Sequence, residues 1–240
     1  VVFGLESYSP YQDKDLEEIS FFDGGDLELP FGSVEKALEM IEECTQGILA
    51  DKKIPLMIGG EHLVTLGAIR AVYQKYPDLH IIHFDAHTDL RDDYLGAKLS
   101  HATVIRRSWD IVGDNKIYQF GIRSGEKKEF LWAKEHTNLT KFDFNGLKDC
   151  LSELKGKPIY FTLDLDVLDP SEFPGTGTPE AGGVSFKELL KAIIDVCSLN
   201  IVACDINELS PPLDSTGAST ALACKILREL LLALPHNTFD

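Results

Sequence analysis

The chain has 240 residues, of which 44% are hydrophobic and 26% are charged, and its formal net charge is −16 at pH 7. This length and composition predict an ordered globular protein with one sizeable core. The acidic balance argues against nucleic-acid binding, which needs Lys and Arg to neutralise phosphates, and it is compatible with a cationic substrate or with acidity that only aids solubility.

Apolar periodicity divides the chain into alternating helices and strands. Ser33 can cap the first helix, and Ser185 with Glu188 forms a capping box. The predicted apolar face of the first helix is Val34, Ala37, Leu38, Ile41, Cys44 and Ile48. Helices are predicted at residues 34–48, 63–76, 144–154, 185–194 and 216–234, and strands at residues 54–58, 80–84, 116–122, 158–163 and 201–205. This alternation predicts a parallel sheet covered on both faces, in one domain over residues 1–240.

Membrane insertion and disulfide chemistry find no support in the sequence. The longest apolar run, residues 230–234, is far too short to cross a bilayer. The five cysteines form no CxxC pair and leave an odd one out. Four of them sit in apolar segments, so we expect buried free thiols in a reducing cytoplasm. These cysteines are Cys44, Cys150, Cys197, Cys204 and Cys224.

Two short acidic stretches follow predicted strands and carry most of the functional signal. Asp85, His87 and Asp89 alternate after the strand at 80–84, and Asp164 and Asp166 alternate after the strand at 158–163. Residues two apart in an extended chain point to the same side, so each set can converge. Carboxylates crowded at strand ends are costly unless cations neutralise them, which predicts a site for paired divalent metals.

A third candidate, His62, follows Gly59-Gly60-Glu61 just past another predicted strand. Alone, it would more often be a structural histidine, and a lone Asp-x-His-x-Asp is also weak because loops are rich in Asp. Three such motifs at three strand ends favour a shared functional site over unrelated structural residues, since sites in parallel sheets lie beyond the carboxyl ends of the strands. Imidazole and carboxylate ligands without thiolate suit Mn²⁺, Co²⁺ or Zn²⁺ better than a structural zinc site.

In order along the chain, these motifs resemble those of the ureohydrolase family, which includes arginases and agmatinases, and they look most like those of bacterial agmatinases. The matching stretches are residues 59–62, 85–89, 100–103, 164–170, 175–183 and 205–211. The resemblance runs from about Tyr8 to near the C-terminus. It implies an arginase-like three-layer αβα fold with a parallel sheet of about eight strands, and a homo-oligomer, either a trimer or a hexamer.

The resemblance also implies the chemistry of the site, with two Mn²⁺ ions per subunit. The implied ligand sets are His62, Asp85, Asp89 and Asp164 for one ion, and His87, Asp85, Asp164 and Asp166 for the other. Asp85 and Asp164 would bridge the two ions. A water shared by both ions would be acidified to hydroxide and would attack the guanidinium carbon, releasing urea and an amine.

Three further positions match the substrate site of the family. Glu208 is implied to pair with the guanidinium group, and without its neighbours Asn207 and Ser210-Pro211 it would be interpreted as a surface acid. His101 matches the histidine assigned to proton transfer toward the leaving amine, although an ordinary loop histidine is a serious alternative. Thr178 would line the guanidinium pocket, or would simply be a turn residue.

Two neighbouring residues are left out of the ligand set. Asp169 precedes Pro170 and is typical of a turn or cap former. His83 shares a side with Asp85 by strand alternation, and we expect it to be hydrogen-bonded behind the ligands rather than to bind a metal directly.

Agmatine is the substrate that the resemblance favours, with putrescine and urea as products in a step of polyamine biosynthesis. Asp92 and Asp93, which follow Arg91, would favour an ammonium terminus over a carboxylate by charge pairing. Arg91 and Lys98 weaken this argument, since either can bind a carboxylate. One alternative is an arginase or another guanidino-acid or formimino hydrolase with the same six ligands. Another is a non-catalytic metal-binding scaffold. Such a scaffold would usually have lost a ligand, His101 or Glu208.

The N-terminus departs from the family pattern. Residues 1–4 resemble the first strand of the family, yet residues 5–11 follow at once, where relatives carry a loop and a helix. We therefore expect a segment to be missing from the numbering between Gly4 and Leu5, with a C–N separation well beyond the peptide bond length of about 1.33 Å.

Overall fold

A computed structural model of the protein describes residues 5–235. The strands in this range are β1 (Tyr8–Ser9), β2 (Lys14–Asp15), β3 (Leu56–Ile58), β4 (His80–Phe84), β5 (Ile117–Ile122), β6 (Asn138–Lys141), β7 (Pro158–Asp164) and β8 (Asn200–Asn207). Six of them form a parallel sheet in the order β3-β8-β7-β4-β5-β6, and β1 and β2 form a separate antiparallel pair. The predicted α/β fold is confirmed. The break expected after Gly4 lies outside the described residues.

The helices between residues 5 and 235 are α1 (Val34–Ala50), α2 (Val64–Lys75), α3 (Val104–Val112), α4 (Lys127–His136), α5 (Leu147–Glu153), α6 (Phe186–Val196) and α7 (Ala218–Ala233). None of these helices is long and apolar enough to cross a membrane. The capping box of Ser185 and Glu188 at the start of α6 is confirmed. The sequence analysis did not predict α3 or α4. Helix α4 buries only Glu129 and Ala133 and therefore lacks an apolar stripe.

Two apolar clusters, one on each face of the parallel sheet, form the core. Helices α1 to α4 contribute to one cluster and α5 to α7 to the other, which gives three αβα layers. Strand residues alternate between the clusters, with Ile81 in the first and Ile82 in the second. Burial on both faces explains why the strands read as continuous apolar runs.

The buried face of α1 differs from the prediction. Its buried residues are Leu38, Ile41, Thr45 and Leu49, so the face turns away from Cys44 and Ile48, which are exposed. All five cysteines lie within the described range and are free thiols. Cys44 and Cys224 are exposed, so the expectation of burial was wrong for these two and right for the others.

The order of the parallel strands opens a crevice beside β4. From β4 the chain runs outward through β5 to β6, and it then returns to place β7 and β8 on the other side of β4. Helix α3, which follows β4, packs on one face of the sheet, whereas α6, which follows β7, packs on the other. Ligands in α/β sheets bind at such a reversal, outside the carboxyl ends of the strands.

Candidate metal centre

All six predicted metal ligands meet at the carboxyl edge of the parallel sheet. His62 follows β3, three of the others follow β4, and the last two stand at and just after the end of β7. Five of the six are buried, and His87 is 22% exposed. The ligand candidates after β4 are Asp85, His87 and Asp89, and those at β7 are Asp164 and Asp166.

His62 points one ring nitrogen at three carboxylates. Its Nδ1 lies 3.2 Å from Asp85 Oδ2, 3.4 Å from Asp89 Oδ2 and 3.2 Å from Asp164 Oδ2. This buried nitrogen has no hydrogen-bond partner in the described part of the chain. The four residues are the set that the resemblance implies for one ion.

His87 and Asp166 form a second group that shares Asp85 with the first. His87 Nδ1 lies 3.0 Å from Asp166 Oδ2 and 3.4 Å from Asp85 Oδ1. Asp85 thus directs one oxygen to each histidine, as a carboxylate that bridges two ions would. Asp166 Oδ2 is also buried and has no hydrogen-bond partner within residues 5–235.

Crowding of these groups shifts their protonation strongly. Burial, and then the charge of Asp85, raise the pKa of Asp89 to about 7. Burial also raises the pKa of Asp164 well above its ordinary value, with the neighbouring carboxylates adding to the effect. Burial opposes charge on His87, but its close contacts with the carboxylates of Asp166 and Asp85 raise its pKa to about 12. Burial and mutual repulsion thus oppose charge on Asp89 and Asp164, and divalent cations would offset this cost.

The donor set fits a pair of divalent cations. Four carboxylates balance two such ions in charge, and imidazole with carboxylate is a ligand combination typical of Mn²⁺ or Zn²⁺. Two atoms of the candidate ligands, His62 Nδ1 and Asp166 Oδ2, are buried without a hydrogen-bond partner in the described residues, and each belongs to a different implied ligand set. Metal coordination would satisfy both.

Metal binding is expected to release protons and to strengthen as the pH rises. Both histidines hold raised pKa values, and so does Asp89, so ions must displace protons that the metal-free protein carries near pH 7. Calorimetric titration in buffers of different ionisation enthalpy, between pH 6 and 8, measures the number of protons released. Affinity that is independent of pH would contradict this expectation.

His83 lies behind Asp85, as predicted, with both ring nitrogens engaged. Its Nε2 donates to Asp85 Oδ2 at 2.7 Å, and its Nδ1 accepts from Gln119 Nε2 at 3.1 Å. Gln119 also donates to the carbonyl of Thr88 and accepts from Thr137. His83 therefore orients Asp85 and offers no free ligand atom. Gln119 was not singled out in the sequence, because its partners are distant along the chain.

Glu208 is fixed beside the metal ligands by backbone contacts. The N–H of His62 donates to Glu208 Oε1 at 2.7 Å, and the N–H of Glu208 donates to the carbonyl of Gly60 at 2.9 Å. Gly59 permits this approach of β3 and β8, because a Cβ there would lie 2.0 Å from Asn207 Oδ1. Burial raises the pKa of Glu208.

A cavity of about 350 Å³ opens above the cluster. His101, Thr178 and Glu208 all line it, together with several predicted metal ligands. His101 begins a short 3₁₀ turn capped by Ser100, and its ring meets the ring of Tyr94 edge to face with centroids 5.4 Å apart. The three predicted substrate residues therefore share one cavity with the metal centre.

The charged loop at residues 90–99 does not act as predicted. Asp92 pairs with Arg107 at 2.7 Å, Asp93 accepts the N–H of Gly96 at 2.8 Å, and neither lines the cavity. The expectation that these acids face the far end of the substrate was wrong, because both are taken up by partners in or beside their own loop. Lys98 does not line the cavity either.

Other charged residues that line the cavity are Arg91, Glu129 and Glu180. Arg91 contacts Glu126 and Glu129 at 3.6 Å each and stacks on Tyr94. Glu180 accepts a hydrogen bond from Ser124 Oγ at 2.8 Å. Glu180 was missed in the sequence because it stands in a motif interpreted only through Thr178.

Fold and site together define an α/β protein with a carboxylate and imidazole centre suited to two metal ions. The chain belongs to the arginase family, whose family model matches residues 2–233. It is 50% identical over 236 residues to an agmatinase of Bacillus subtilis, covering 97% of this chain and 81% of that protein.

Solved structures give the same result. A Clostridium difficile structure assigned as an agmatinase is 56% identical, with a TM-score of 0.94 over 97% of this chain and 86% of that one. The agmatine ureohydrolase of Thermoplasma volcanium is 34% identical, with a TM-score of 0.84 over 95% and 78% of the two chains. The protein is therefore a hydrolase of C–N bonds in amidine groups.

Proposed function

We propose that this protein hydrolyses agmatine to putrescine and urea, with two Mn²⁺ ions per subunit held by the six residues of the centre. The observation that carries the proposal is the contact between His62 and Glu208. Through its ring, His62 belongs to the metal cluster, and through its N–H it fixes the carboxylate implied to bind guanidinium. Metal site and substrate anchor are thus parts of one rigid unit.

The residues of the cavity divide the work of the reaction. When bound, the two ions supply a hydroxide near neutral pH. One oxygen of Glu208 is held by the His62 N–H, and the other has no hydrogen-bond partner among the described residues, so it can accept a guanidinium N–H. His101 lines the same cavity, from which its imidazole can carry a proton to the leaving amine. Thr178 contributes to the wall of the guanidinium pocket.

The charges of the cavity support agmatine over arginine. Arg91, the cation that lines the cavity, is already contacted by two glutamates and covered by Tyr94, so it is poorly placed to bind a substrate carboxylate. The Glu180 carboxylate also lines the cavity and has no cationic side chain within ion-pair distance in residues 5–235. The nearby Arg123 guanidinium donates to the backbone carbonyl of Glu180 and forms no ion pair with its carboxylate, so an ammonium terminus suits these surroundings better than a second carboxylate would.

Urea release from agmatine, arginine and 4-guanidinobutyrate by the Mn²⁺-loaded protein tests the proposal. Agmatine is expected to be preferred by about 10²-fold or more in kcat/KM, since like charges placed together cost several kcal/mol. Preference for either carboxylate-bearing compound would contradict the assignment of substrate. Urea from none of the three, with both ions bound, would contradict the proposed reaction.

A further inference from the structure

A row of four polar residues crosses the buried interior of the sheet below the metal centre. Register partners place Gln119 of β5 beside His83 of β4, His83 beside Thr162 of β7, and Thr162 beside Asp205 of β8. All four are fully buried. Gln119 and His83 orient Asp85, as described above. Thr162 and Asp205 have no part in the proposed reaction.

Asp205 is held by four hydrogen bonds. Its Oδ1 accepts from Thr162 Oγ1 at 2.6 Å and from Asn207 Nδ2 at 2.8 Å. Its Oδ2 accepts from Tyr160 OH at 2.5 Å and from Thr65 Oγ1 at 2.8 Å. Burial raises the pKa of Asp205, and the four converging donors oppose this rise by stabilising the ionised form. An ionised carboxylate can only accept hydrogen bonds.

The direction of these hydrogen bonds determines which nitrogen of His62 carries a proton. Thr162 has one hydroxyl hydrogen and donates it to Asp205, so its oxygen must accept from the group on its other side. That group is His62 Nε2, 2.9 Å away. His62 therefore carries a proton on Nε2, and Nδ1 is the nitrogen that can present a lone pair to a cation among Asp85, Asp89 and Asp164.

We infer that Thr162 and Asp205 form a positioning relay that fixes the ring and the tautomer of His62 for one of the two metal ions. The inference rests on the proposed metal centre. His87 has no such support, since its Nε2 has no hydrogen-bond partner among residues 5–235 and its ring is partly exposed. The relay therefore acts on one ion and leaves the other unaffected.

Calorimetric titration of the metal-free protein with Mn²⁺ tests the relay without reference to activity. Thr162→Val keeps the shape of the side chain but removes both hydrogen bonds of the relay. We expect one of the two ions to bind about 10- to 100-fold more weakly and the other to bind as in the wild type, which is the usual effect of losing a group behind a ligand. Thr162→Ser retains the hydroxyl and should restore wild-type binding.

A second variant and a matched control separate the relay from general packing. In Asp205→Asn, the amide can donate to Thr162, and the Thr162 hydroxyl can then donate to His62 Nε2. Binding of the same ion should therefore become weaker. Tyr160→Phe removes another donor to Asp205 but leaves the relay intact, and it should keep both affinities within about twofold while thermal stability falls. Far-ultraviolet circular dichroism of each metal-free variant verifies that it is folded.

The outcomes distinguish the relay from the proposed reaction. Wild-type binding of both ions by Thr162→Val would overturn the relay, as would equal weakening by Tyr160→Phe. A wild-type protein that binds two ions but releases no urea would refute the proposed reaction, and selective weakening in Thr162→Val would still support the relay. A wild-type protein that binds no ion would overturn both.

Discussion

Asp164→Asn is expected to lower urea release by at least about 10³-fold and to stabilise the metal-free protein. The loss of activity follows from the loss of a carboxylate implied to bridge both ions, whose charge stabilisation amounts to several kcal/mol, with each 1.36 kcal/mol worth about tenfold in rate. Metal titration should show fewer ions bound. Urea release measured at saturating Mn²⁺ provides the activity.

The gain in stability follows from the raised pKa of Asp164. When folding raises the pKa of a carboxyl group, the protein becomes less stable as the pH rises from the unfolded-state pKa of that group to its folded-state pKa. Burial and the charges of Asp166 and Asp85 place Asp164 in this class, so its ionised form opposes folding of the metal-free protein at neutral pH. Asn removes this cost, and replacements that relieve strain of this kind commonly give about 0.5–2 kcal/mol.

Thermal unfolding with and without Mn²⁺ separates the two effects. At free metal about 100 times the dissociation constant, each bound ion adds about 2.7 kcal/mol to wild-type stability. The Asn variant should unfold at a higher temperature than the wild type without metal, and should gain less when metal is added. Asp169→Asn is the matched control, because Asp169 caps an exposed turn through Ser171 and Gly182. An Asp164→Asn protein with full activity would refute the bridging role.

The clustering of the candidate metal ligands could be predicted because local rules place these side chains. Alternation of side chains in an extended segment brings Asp85 near His87, and the carboxyl ends of parallel strands share one edge. In the structure, His62 Nδ1 and His87 Nδ1 each lie within 3.4 Å of carboxylate oxygens that follow or end neighbouring strands. This prediction required no knowledge of strand register or of the helices.

The groups behind the ligands could not be predicted in this way, since they depend on strand register. Thr162 meets Asp205 because β7 and β8 are neighbours in a particular register, although 43 residues separate the two along the chain. A shift of one residue would turn Asp205 to the other face. From the sequence, Asp205 was therefore interpreted as the end of an apolar strand and the start of a family motif, with no role of its own.

The charges of the cavity mouth depend on a helix whose sequence pattern is weak. Arg91 is anchored by Glu129, a buried glutamate on α4 that also accepts from Thr88 Oγ1 and from the N–H of Leu90. Because α4 buries this acid instead of an apolar stripe, periodicity did not predict the helix. The partner that occupies Arg91 was therefore missed, and Arg91 was interpreted as free to bind a substrate carboxylate.

Glu208→Gln is expected to lower kcat/KM for agmatine by about 30- to 5,000-fold while both ions still bind. Removing one partner of a buried hydrogen-bonded charge pair costs about 2–5 kcal/mol, which corresponds to this range. The Gln amide oxygen can keep the hydrogen bond from the His62 N–H. Its NH₂ group would then face the guanidinium with donors where acceptors are needed. Steady-state urea release and Mn²⁺ titration measure the two effects separately.

Glu180→Gln is the matched control, because Glu180 lines the same cavity and loses the same charge. Since the family resemblance assigns guanidinium binding to Glu208 and Thr178 and not to Glu180, the Glu180 variant should lose far less activity on methylguanidine-type substrates that lack an ammonium end. Glu208→Gln, by contrast, should be impaired on every guanidino compound. Equal losses in both variants on all substrates would mean that the total charge of the cavity, rather than a contact with Glu208, governs binding. If Glu208→Gln loses metal, Glu208 would instead act by holding His62 in place, through the hydrogen bond that joins them.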